Sequence, residues 1–98
     1  MEKTLYLEEL QLSSGRVLSR YHMHYWISAP YQEGQQVILF SHALTGDARV
    51  DRWWDKIAGE QGVFAQSNYH LICINHLGSC YGSTGPLSVD EETGKPYY

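Results

Sequence analysis

Positive charge and cysteine are both scarce in this chain, and no apolar run approaches the ~20 residues that a membrane-spanning helix needs. Seven Lys and Arg stand against eleven Asp and Glu, leaving a formal net charge of −4. With no basic cluster, the electrostatic footprint of a nucleic-acid binder is missing. Two cysteines, Cys73 and Cys80, are too few for a disulfide framework. The opening residues, MEKTLYLEEL, contain no apolar core of a secretory signal. Also missing is a nucleophile elbow, G-x-S-x-G. None of Ser41, Ser79, Ser83 or Ser88 has glycine at both flanking positions. These absences lead to the expectation of a cytoplasmic protein with no nucleic-acid or membrane partner; no metal and no bound cofactor are expected either.

What is present reads as part of an α/β fold. With 98 residues, 43% of them hydrophobic, the chain has material for at most one small domain. Thr4 to Leu12 and Val17 to Ser28 are strand-like arms around Ser13-Ser14-Gly15-Arg16, a loop that suits an antiparallel hairpin. In the second arm Val17, Ser19, Tyr21, Met23, Tyr25 and Ile27 share one face; Leu18, Arg20, His22, His24 and Trp26 share the other. Val37 to His42 and Asn68 to Asn75 have unalternated apolar cores, which predicts parallel strands buried on both faces. Between them Asp47 is the expected N-cap of a short helix. Trp53, Trp54, Ile57 and Ala58 recur in it at near-helical spacing before Gly59.

Two loops follow the two apolar strands: His-Ala-Leu-Thr-Gly-Asp at 42–47 and Asn-His-Leu-Gly-Ser-Cys-Tyr-Gly-Ser-Thr-Gly-Pro from Asn75. Ligands of open α/β sheets sit beyond the carboxyl ends of such strands, so these loops are the expected place of chemistry. A sheet of this kind needs more strands than the chain supplies. The expectation is therefore that residues 1–98 form the N-terminal portion of a single larger domain, truncated before its nucleophile elbow.

HALTGD at 42–47, WWD at 53–55, NHLGSCYGSTGPLS at 75–88 and ETGKPY at 92–97 together resemble the homoserine O-acetyltransferase family of α/β-hydrolase-fold acyltransferases. The resemblance keeps motif order and approximate spacing over the second two-thirds of the chain. Two positions depart from it. Ser79 stands where many members carry a second glycine, and His76 replaces a more usual apolar residue. The resemblance implies the N-terminal part of an α/β-hydrolase fold, with an antiparallel hairpin leading into a mostly parallel sheet. It implies ping-pong transfer of acetyl from acetyl-CoA, the co-substrate, to the hydroxyl of L-homoserine in methionine biosynthesis, by an enzyme that is a homodimer at full length. It matches the Leu44 backbone amide to one oxyanion-hole donor, with Ala43, Thr45 and Gly46 lining the site. The family's nucleophile, Asp and His fall outside these 98 residues. That leaves His42, at the strand end, with a structural hydrogen-bonding role.

Competing patterns are weaker. Gly78-Ser79-Cys80-Tyr81-Gly82 has the form G-x-C-x-G, but Gly82 to Pro86 does not start the helix an elbow requires. His22 and His24 share a strand face and would need a third ligand to hold zinc. Trp53 and Trp54 read as core packing or as walls of the site. The glycines at 78, 82 and 85 match neither dinucleotide nor P-loop spacing. Two alternatives stay open: a truncated, non-catalytic α/β domain acting as a binding module, or a related homoserine or serine O-succinyltransferase or hydrolase. Lacking an elbow, the 98 residues alone should neither acetylate homoserine nor hydrolyse an activated ester above buffer background. Ester turnover that iodoacetamide abolishes at Cys80 would contradict this and identify a cysteine hydrolase.

Overall fold

A computed structural model describes residues 1–65, 68–90 and 92–97. In chain order the elements are β1 (Glu2–Leu7), β2 (Leu10–Gln11), β3 (Val17–Leu18), β4 (Tyr21–Ile27), β5 (Gln36–Ser41), α1 (Val50–Trp53), α2 (Asp55–Ala58), β6 (Tyr69–Ile74), β7 (Val89–Asp90) and β8 (Lys95–Pro96). The expected hairpin forms. β1 pairs antiparallel with β4, and β2 with β3, in one continuous register from Glu2↔Trp26 to Gln11↔Val17. Gly15 closes the turn at φ +87°, with its N–H donating to Leu12 O at 2.9 Å. The alternation pattern does not reveal that the ladder breaks midway. Glu9 (φ 57°) and Arg20 (φ 141°) take left-handed backbone conformations there, which splits each arm in two.

β4 carries the hairpin into the sheet. Strand order is β1-β4-β6-β5, with β6 antiparallel to β4 and parallel to β5. The sheet is thus mixed, with a single parallel pair among the described residues. Register places Trp26 opposite Cys73, and Phe40 opposite Cys73 on the other side, so these residues share a face. On that face Trp26, Leu71 and Cys73 pack with Ala48, Val50 and Ala58, flanked by Ile38, Phe40, Phe64 and Tyr69. Val50 is fully buried, worth about 1.5–3 kcal/mol over an exposed valine.

On the other face β5 itself is exposed, which corrects the expectation that it is buried on both sides. Val37 and Leu39 are 53% and 64% exposed. β5 also lies at the sheet edge, and all the helical cover is on the Ile38/Phe40 side. The helix expectation needs correcting too. Two single turns replace one helix, separated by Trp54 at φ −135°, and the second ends at Gly59. Asp47 does not cap either. Its carboxylate accepts the Arg49 N–H at 2.9 Å, two residues ahead, in a local turn that precedes α1. Trp53 and Trp54 stack on each other with centroids 6.1 Å apart and stay about half exposed, so Val50 and Ala58 form the core instead.

A charged chain fastens α1 to the hairpin. Arg49 donates twice to Asp51 (2.8 and 2.7 Å) and once to Glu2 (3.2 Å), whose other oxygen meets His24 Nε2 at 3.1 Å. The hydrogen bond from His24, with Arg49 nearby, holds the Glu2 carboxyl below its usual range. Glu2 is half exposed, so each pair contributes little to stability. No helix among the described residues is long and apolar enough to cross a membrane.

Candidate functional site

Parallel pairing sets the ends of β5 and β6 side by side, Ser41 opposite Ile74, so both loops leave the sheet at the same edge. The first is a tight turn in which Gly46 N–H donates to Ala43 O at 2.8 Å. A Cβ on Gly46 would lie 3.2 Å from His42 Cβ and 3.3 Å from Ala43 O, so any larger residue there would crowd the turn. Ala43, Leu44 and Thr45 are exposed, Leu44 almost completely at 99%. Among the described residues, no hydrogen bond uses the amides of these three. The turn therefore has unused backbone donors at a strand end, and such donors can stabilise an oxyanion.

The second loop is held by hydroxyls, a feature the sequence reading missed. Ser83 Oγ accepts the His24 N–H at 2.9 Å and donates to Asn75 O at 2.7 Å. Thr84 Oγ1 accepts the His22 N–H at 2.9 Å, while the Thr84 N–H donates to His22 O at 2.8 Å. Asn75 N–H reaches His24 O at 2.8 Å, and Asn75 Nδ2 donates to Tyr81 O. Together these extend the β4 ladder beyond β6. Gly82, at φ +105°, passes so close that a Cβ there would meet His24 Cβ at 3.0 Å. The signal in the sequence is the adjacent Ser83-Thr84 pair between Gly82 and Gly85.

The remaining candidates separate. His42 is buried and uses both ring nitrogens. Nδ1 meets Ala43 O at 2.7 Å and Nε2 accepts the His76 N–H at 3.1 Å, which is the structural role expected of it. His24 turns to Glu2, and His22 Nδ1 lies 3.3 Å from Thr84 Oγ1, so the two histidines serve different partners. Cys80 is exposed, and no helix follows it among the described residues, as the elbow argument requires. Cys73 is buried, and its thiol is pushed up to about 11 by burial first and the charge of Asp47 second, which makes it a poor nucleophile. Ser79, at the position where the resembled family has glycine, buries its hydroxyl with no partner among the described residues.

No family model matches the chain. Curated relatives do. A homoserine O-acetyltransferase of Cyclobacterium marinum is 42% identical over 92 residues, 93% of this chain and 26% of the relative. A homoserine O-succinyltransferase of Halothiobacillus neapolitanus is 41% identical over 101 residues, 92% of this chain and 25% of the relative. The chain thus spans about a quarter of the length of the relatives it matches. Among solved structures, a homoserine O-acetyltransferase of Staphylococcus aureus superposes with TM-score 0.68 at 28% identity, over 89% of this chain and 28% of that one. An esterase superposes with TM-score 0.80 at 19% identity over 99% of this chain and 31% of that one, a likeness of fold alone. The architecture is that of an α/β-hydrolase fold in part.

The hydroxyl bridge gives a stability expectation. Ser83→Ala leaves the His24 N–H and Asn75 C=O buried without their shared partner, a loss of about 1–3 kcal/mol. Urea unfolding should show a lower midpoint at unchanged slope. An unshifted midpoint would mean the bridge does not hold the loop.

Proposed function

This chain is a homologue of the homoserine O-acetyltransferases over most of its own length, and from that premise we propose that it supplies half of an oxyanion hole to an acyltransferase. The observation carrying the proposal is the Ala43–Gly46 turn, with unused amides beside a strand end that faces a second loop. In the proposed reaction a serine outside these residues attacks the thioester carbonyl of acetyl-CoA. The C–S bond breaks, the thiol leaves with a proton, and an acyl-enzyme remains. The hydroxyl of L-homoserine then attacks that ester, giving O-acetylhomoserine and the free serine.

At each attack the carbonyl oxygen becomes an oxyanion, and the Leu44 N–H is proposed as one of two donors to it. A backbone donor suits this role because it sits at a fixed place and needs no polar side chain. The full exposure of the Leu44 side chain fits that division. Thr45 and Gly46 shape the turn, and Ala43 joins it to His42. A cytoplasmic setting is part of the proposal, supported by Cys73 and Cys80 both being free thiols. Succinyl in place of acetyl is a second reading, favoured by the Halothiobacillus relative at 41% identity. The oxyanion donors contact the carbonyl and not the acyl tail, so the same turn serves either donor.

In the full-length protein, Leu44→Ala keeps the amide and should keep most of the acylation rate. Leu44→Pro removes the donor and should slow acylation by on the order of 10²–10³, about 2.7–4 kcal/mol. Proline also fixes φ, so substrate binding and melting temperature are measured alongside. A lost donor slows acyl-enzyme formation mainly, whereas a damaged loop weakens binding and stability as well. An unimpaired single-turnover rate in well-folded Leu44→Pro protein would remove Leu44 from the site.

A further inference from the structure

The imidazole of His42 lies between the two loops, and its hydrogen bonds define its state. Ala43 O is a carbonyl and can only accept, so the 2.7 Å contact requires a proton on Nδ1. The His76 N–H can only donate, so the 3.1 Å contact requires Nε2 to be bare. Only the neutral, Nδ1-protonated ring satisfies both partners. His42 as a residue is 8% exposed, which leaves water little room to substitute for either.

His76 adds a second tie. Its ring lies against that of His42, centroids 4.1 Å apart, and its Nε2 is 3.1 Å from Ser41 Oγ. Residue 76 thus reaches the β5 end twice, through its amide to His42 and through its side chain to Ser41. From the other side the Gly46 position closes against His42 Cβ. Ala43 O therefore takes both the His42 Nδ1–H at 2.7 Å and the Gly46 N–H at 2.8 Å, so the imidazole and the far end of the turn meet on one carbonyl.

We propose that His42 is a positioning residue for the oxyanion turn: as a neutral Nδ1–H imidazole, backed by His76 and Ser41, it fixes Ala43 O and hence the adjoining Leu44 amide against the loop after β6. The catalytic part of this inference rests on Leu44 being a donor, as proposed above. The clamp itself does not. Its logic is that a backbone donor has no rotamer of its own, so its aim is only as good as the peptide that carries it.

The test uses the full-length protein labelled with [15N]histidine, with the His42 signals assigned by their loss in a variant. The expected spectrum shows His42 Nδ1 protonated and Nε2 unprotonated at neutral pH, and slow hydrogen exchange at the His76 amide. His42→Asn offers a donor near Nδ1 and no acceptor for His76; His42→Gln offers an acceptor near Nε2 and no donor for Ala43. His76 exchange should quicken in the first and stay slow in the second. Both should slow acylation by up to about 10²-fold, the scale of an ångström-sized misplacement, with little change in KM. A His42 ring protonated on Nε2 or on both nitrogens would overturn the clamp. So would a His76 amide that exchanges equally fast with and without His42. Should Leu44→Pro acylate at the unsubstituted rate while the ring signature persists, the oxyanion reading fails and the clamp stands.

Discussion

The parallel pairing of β5 with β6 is the constraint on which the rest of this structure depends. It runs unbroken from Gln36↔Tyr69 to Ser41↔Ile74. One consequence is chemical: both strands end at the same edge, so the turn after Ser41 and the loop after Ile74 are neighbours. Another is energetic, because the register puts Ile38 and Phe40 on the face where Leu71, Cys73 and Trp26 meet Val50 and Ala58. A slip of one residue would turn Val37 and Leu39 toward that core and carry Ile38 and Phe40 away. The packed face therefore fixes the register, and the register brings the loops together.

At that edge backbone and side chain have different tasks. The groups suited to chemistry are main-chain amides on a turn whose side chains are exposed. The side chains that matter are those holding the turn and its neighbour still: His42 between the loops, and Ser83 and Thr84 under the second one. Buried hydroxyls and imidazoles are tolerable there because nearly every lone pair and proton has a partner. Asn75 Oδ1 and Ser79 Oγ are exceptions, buried without a partner among the described residues.

Much of this was readable from residues alone, and the failures have physical reasons. The hairpin around Gly15 was legible because a glycine between two strand-like arms specifies a turn. The two apolar strands and the loops beyond them were legible because unalternated runs and turn residues are local signals. Burial of β5 was misjudged because apolar content says what a strand can bury, not what lies against it. The broken helix is not legible because the near-helical spacing of Trp53, Trp54, Ile57 and Ala58 gives no sign of the non-helical backbone at Trp54 (φ −135°, ψ 53°). Ser83 and Thr84 were missed because their partners, His24 and His22, lie about sixty residues away in sequence. Leu44 was named through resemblance, since no side-chain pattern can mark a backbone donor.

In the proposed function the Leu44 amide faces the developing oxyanion. The most direct measurement is a crystal structure of the proposed full-length acyltransferase with the proposed nucleophilic serine phosphonylated, since the phosphoryl oxygen occupies the oxyanion position. That oxygen is expected about 2.7–3.1 Å from the Leu44 nitrogen, with the His42 contacts to Ala43 and His76 intact. A phosphoryl oxygen held by other donors, with the Leu44 N–H turned away from it, would contradict the assignment of Leu44 as a donor.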